Sequence, residues 1–102
     1  MADTAKTPTP GRMTAGAVEM GNDLPLVIIA GPCQLEDRDH ALKMSEAIRE
    51  IGRRLDVPVI YKTSYDKANR TSLKGRRGLG LEKSLAIFDE IRRDIGLPVL
   101  TD

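Results

Sequence analysis

The sequence predicts an α/β protein built on a parallel sheet. Three observations carry this: three short aliphatic runs each begin with an X-Pro step, two amphipathic stretches lie between them, and the two kinds of segment alternate strictly. The runs are residues 24–30, 57–61 and 97–100, with prolines at 25, 58 and 98. Proline is tolerated at the start of a strand, where its missing N–H breaks no ladder, and an uninterrupted apolar run suits a strand covered on both faces. The order strand, helix, strand, helix, strand makes two right-handed crossover units. Periodicity alone does not tell an open sheet from a closed barrel.

Residues 1–23 precede these elements. They are rich in Ala, Thr, Gly and Pro and lack a sustained hydrophobic period, so they read as a flexible N-terminal extension. Residues 24–102 form the folded part. In the first amphipathic stretch Ala41, Met44, Ile48, Ile51 and Leu55 fall on one stripe, with Arg49, Glu50 and Arg53 off it. Asp37 or Asp39 is placed to cap its start. The second stretch sets Leu81, Leu85, Phe88, Ile91 and Ile95 in register. Arg92 and Arg93 near its end, Gly96 as a stop and Pro98 beyond complete a helix C-terminus.

With 102 residues the chain has room for at most one domain. Three strands and two helices leave an open sheet edge and a core not fully covered, so the reading predicts part of a larger α/β protein. Sixteen basic and fifteen acidic residues give a net charge of +1, so no global field draws in nucleic acid or a membrane surface. Base stacking is also poorly served, since the aromatic residues are only Tyr61, Tyr65 and Phe88. Residues 24–30 are the longest apolar stretch, far short of a membrane span, and residues 1–23 lack a signal peptide's apolar segment. One cysteine excludes an internal disulfide and fits a reducing compartment, so a cytoplasmic location is expected.

Polar residues gather where each run ends: Gly31-Pro-Cys-Gln after the first, Lys62-Thr-Ser after the second, Thr101-Asp102 after the third. In parallel α/β architectures this carboxyl end carries the active site. The loop that follows Lys62 is long and holds Lys67, Arg70, Lys74, Arg76 and Arg77, with Asp66 the nearby counter-charge. Such a cluster favours a phosphorylated or carboxylated ligand, although basic surface loops are commonly just solvated. Gly78 and Gly80 precede the second helix and either admit an anion to backbone N–H groups or simply make the turn. They match neither the dinucleotide fingerprint nor the Walker loop. Cys33 stands where a thiolate could meet a metal or a carbonyl, but a lone cysteine is more often a small buried hydrophobe. His40 is read as facing outward or packing against the loop.

Three stretches carry a family resemblance: Ile-Ala-Gly-Pro-Cys ending at Cys33, Lys-Thr-Ser-Tyr-Asp-Lys-Ala-Asn-Arg-Thr-Ser over residues 62–72, and Arg-Gly-Leu-Gly-Leu-Glu over 77–82. In order and spacing they resemble the 3-deoxy-D-manno-octulosonate 8-phosphate synthases across residues 24–102. Related synthases that use erythrose 4-phosphate carry a Lys-Pro-Arg-Thr-Ser pattern in this loop, from which residues 67–71 depart. The resemblance implies the first strands and helices of a (β/α)₈ barrel, usually tetrameric, and a chain cut from something longer that is inactive by itself. It implies condensation of phosphoenolpyruvate with arabinose 5-phosphate, releasing phosphate and feeding lipopolysaccharide core synthesis. Lys62, Ser64 and Lys67 would contact phosphoenolpyruvate, and Asn69 the sugar hydroxyls. Arg70 and Thr71 would grip the phosphate of arabinose 5-phosphate at a site completed by a neighbouring subunit. Lys62, Lys67 and Asn69 would be the catalytic residues. Thr71 stands where serine is common, and its hydroxyl preserves the role. Cysteine at position 33 matches the metal-dependent class, so Cys33 would bind a divalent transition metal (zinc, iron or manganese), with a histidine and two carboxylates from later strands. The alternatives are a non-catalytic anion-binding module and an erythrose 4-phosphate synthase.

Overall fold

The computed structural model describes residues 11–66 and 79–102. It contains a two-stranded antiparallel hairpin, β1 (Arg12–Ala15) with β2 (Val18–Gly21), and a three-stranded parallel sheet in the order β3 (Ile28–Ala30), β4 (Val59–Lys62), β5 (Val99–Leu100). Helix α1 (Arg38–Leu55) connects β3 to β4, and helix α2 (Leu81–Glu90) leads to β5 through a single π turn, Ile91–Ile95. The expected strand–helix–strand–helix–strand order is therefore present. Among the described residues no helix is long and apolar enough to cross a membrane.

Each parallel strand is shorter than its apolar run. Residues 24–30 contribute only three strand residues, because Pro25 has no N–H and the Leu24 N–H turns back to the Gly21 carbonyl. The ladder opens where the Ile28 N–H donates to the Pro58 carbonyl at 3.0 Å. Register pairs Ile28 with Val59, Ala30 with Tyr61, and Lys62 with Leu100.

The core lies between one face of the sheet and the two helices. Val59 and Tyr61 point into it from β4, two residues apart as the strand period requires. They pack with Leu35, Ala41, Ile87, Phe88, Ile91 and Leu97. Asp37 is the cap of α1: its side chain accepts the His40 backbone N–H at 2.8 Å, satisfying one orphan donor of the first turn. Gly52 lets the helix approach β4, since a Cβ there would lie 2.6 Å from Val59 Cγ2. Arg38 at the start of α1 forms a two-pronged ion pair with Glu90 at the end of α2, and that guanidinium holds the Glu90 carboxyl below its usual range.

The structure departs from the sequence expectations in three places. First, part of the region expected to be a flexible extension forms the β1–β2 hairpin. Ala15 pairs with Val18 across a two-residue turn opened by Gly16 at φ 58°, where glycine carries no steric penalty. Arg12 ties the hairpin to Asp23 by a salt bridge. Second, the far end of the α1 stripe is uncovered: Ile51 and Leu55 remain exposed beside an apolar cleft of about 320 Å³ that also touches Ile28, Val57 and Val59. Third, α2 buries Ser84, Ile87 and Phe88, and the π turn after it buries Ile91, while Leu81 and Leu85 face outward. The buried serine is accommodated because its own helix satisfies it. Its hydroxyl donates to the Gly80 carbonyl at 2.6 Å, so a small, satisfied polar group lies on the core side.

Candidate active site

The three parallel strands end on the same side of the sheet, and their terminal residues are held together by backbone contacts. At the end of β3, Gly31 lies so near β4 that a Cβ would come 1.8 Å from the Lys62 carbonyl oxygen. No side chain fits there without prising the strand ends apart. Beyond Gly31 the chain leaves the ladder through Pro32 and Cys33, then rejoins it: Gln34 bridges to Ser64, and the Leu35 N–H donates to the Ser64 carbonyl at 2.9 Å. Cys33 is thereby left exposed, not buried as a small hydrophobe.

Lys62 and Ser64 are two residues apart on the β4 extension, so their side chains share the face opposite Tyr61. Lys62 is paired with Leu100, and Asp102 stands two residues beyond that partner, alongside Ser64. A polar group results. The Lys62 Nζ donates to Ser64 Oγ at 3.3 Å and lies 3.7 Å from Asp102 Oδ1, while Ser64 Oγ donates to Asp102 Oδ1 at 2.5 Å. Ser64 is buried, Lys62 is about one-third exposed and Asp102 is open to solvent. The Tyr65 N–H donates to Thr101 Oγ1 at 3.1 Å, a second tie between the strand ends. Beneath this group the fully buried Tyr61 phenol is pushed up to about 12 by desolvation and stays neutral.

Of the residues singled out in the sequence, the structure brings Lys62 and Ser64 together and sets Cys33 on the same end of the sheet. Lys67, Asn69, Arg70 and Thr71 lie outside the described residues, as do Lys74, Arg76, Arg77 and Gly78. Gly80 makes the turn into α2 at φ 92°. His40 occupies the first turn of α1, partly buried. Asp102 was visible only as a polar strand end; its link to Lys62 and Ser64 follows from register, which a single sequence does not disclose.

A resident metal is tested by its donors. Among the described residues no group of three or more His, Cys, Asp or Glu side chains is arranged to hold a metal ion. An exposed thiol at a strand end suits a single ligand, but the described residues do not make a metal centre.

The Lys62 ammonium, held by Ser64 and Asp102, stands at the carboxyl ends of the parallel strands, the end that carries ligand sites in α/β architectures. The chain belongs to the family described as DAHP synthetase I, which it matches over residues 4–102. It is 63% identical over 90 residues to a protein of Bradyrhizobium sp. named 2-dehydro-3-deoxyphosphooctonate aldolase, an alignment covering 88% of this chain and 32% of that protein. Proteins of the same name from Rhodopseudomonas palustris and Nitrobacter hamburgensis are 61% and 57% identical over 90 residues, again 88% of this chain and 31% of each relative. The chain thus spans about a third of the length of the curated relatives it matches.

Proposed function

We propose that the protein condenses phosphoenolpyruvate with arabinose 5-phosphate and water to give 3-deoxy-D-manno-octulosonate 8-phosphate and inorganic phosphate. The observation that carries this reading is Lys62, anchored by Ser64 and Asp102 at the strand ends, in a chain about 60% identical to proteins named for that product. Both substrates are multiply charged anions that repel each other. Fixed cations that neutralise them and set their orientation remove much of the barrier.

In the reaction, C3 of phosphoenolpyruvate bonds to the aldehyde carbon of the sugar, water adds at C2, and the C2–O bond to phosphate then breaks. Lys62, Ser64 and Lys67 hold phosphoenolpyruvate, Asn69 the sugar hydroxyls, and Arg70 with Thr71 the sugar phosphate. The surrounding architecture in this reading is a (β/α)₈ barrel, of which the described strands and helices form the first units, assembled as a tetramer. Cys33 would be one ligand of a divalent transition metal, the others coming from outside the described residues. The role fits a cytoplasmic enzyme of lipopolysaccharide core synthesis.

The test is phosphate release by the purified protein in its longest expressible form. Release only when phosphoenolpyruvate and arabinose 5-phosphate are both present supports the reading; preference for erythrose 4-phosphate overturns it. Calorimetric binding of phosphoenolpyruvate with no turnover of either pair would instead make the chain a non-catalytic anion-binding module.

A further inference from the structure

The hydroxyl of Ser64 has one proton, and the structure commits it to Asp102 Oδ1 at 2.5 Å. Ser64 Oγ in turn accepts from the Lys62 ammonium at 3.3 Å. Ser64 therefore has no proton left for an anionic ligand, whereas Lys62 donates one of its three N–H bonds to Ser64, stands 3.7 Å from Asp102 Oδ1 and has N–H bonds left for a ligand. Asp102 comes from a different strand and reaches this pair only because β4 and β5 are in the observed register. We propose that Asp102 is a positioning residue: by taking the Ser64 proton it turns the serine oxygen toward Lys62 and fixes the ammonium for the anion. The part that Ser64 plays in holding phosphoenolpyruvate then runs through Lys62. This rests on the function proposed above.

Because the Asp102 side chain is exposed and outside the core, replacing it should spare the fold. In the longest expressible protein, Asp102→Ala should raise KM for phosphoenolpyruvate about tenfold with a smaller fall in kcat, and Asp102→Glu should restore most of the loss. Ser64→Ala should behave like Asp102→Ala, and the double variant should be no worse than the more impaired single variant, as expected for residues acting through one chain of contacts. Asp102→Asn, which keeps the shape, replaces the alanine variant if that one fails to fold.

A second readout needs no substrate. Labelling of Lys62 by an amine-reactive reagent, followed by mass spectrometry on folded protein, should be several-fold faster in Asp102→Ala than in the parent. Unchanged labelling, or additive effects of the two substitutions on KM, would overturn the proposal. If the parent turns over neither substrate pair, the functional reading fails by itself, and the labelling still decides the role of Asp102.

Discussion

The two ends of the parallel sheet use the same strands for different purposes. At the amino end β4 and β5 begin directly after Pro58 and Pro98, and the hairpin turn comes close to the second of these, with a Cβ at Gly16 lying 3.3 Å from Pro98 Cγ. At the carboxyl end Gly31 abuts the Lys62 backbone, and Lys62, Ser64 and Asp102 are joined by hydrogen bonds and an ion pair. Packing governs the first end and charge the second. The effect of a substitution should therefore depend on which end it touches: one should cost stability alone, the other recognition as well.

Four experiments test that contrast. The largest effect is expected at Gly31. Gly31→Ala drives a methyl group into the Lys62 carbonyl, and urea denaturation should show a loss of about 3 kcal/mol or more, with the site lost too. Lys62→Ala removes the anchored ammonium without disturbing the core; on the proposed reaction kcat/KM should fall about 100-fold while the urea midpoint stays near that of the parent.

The third experiment concerns the layer under the site. Burial raises the Tyr61 phenol to about 12, so the unfolded chain ionises near pH 10 while the folded chain does not. The stabilising contribution is complete below the unfolded value and is lost as pH rises through the folded one. By pH 12 that loss should be about 2 kcal/mol, seen as alkaline unfolding that Tyr61→Phe suppresses. The smallest effect belongs to the amino end: Gly16→Ala meets positive φ and should cost about 1 kcal/mol in thermal melts with kcat/KM unchanged. A matching loss of activity there would erase the distinction between the two ends.

What the sequence disclosed follows the reach of each interaction. Asp37 as a cap and Gly96 as a stop were legible because a helix end is decided within a few residues; the Gly96 N–H closes on the Ile91 carbonyl just as a glycine stop implies. The strands were legible from their apolar runs, though not their lengths, since pairing depends on the neighbour. The hairpin was missed because its signal is sparse: Met13 opposes Met20, yet both faces remain largely wet and no sustained alternation results. The facing of α2 was misread because Leu81 and Leu85 mark an apolar stripe while the core accepts Ser84 in their place. At the site, Lys62 and Ser64 were found from strand position and resemblance. The contact of Asp102 with them spans 38 residues of sequence and exists only through strand register.

The missing side chain at position 31 has a consequence for how such a site can change over time. The gap between the segment bearing Cys33 and the backbone of Lys62 is set by bare backbone contact, so it has no adjustable filler. A lineage cannot reshape this end of the sheet in small steps at that seam, because even a methyl group is too large. Variation must enter through the side chains around Lys62 and Ser64, while Gly31 holds the spacing of the seam constant.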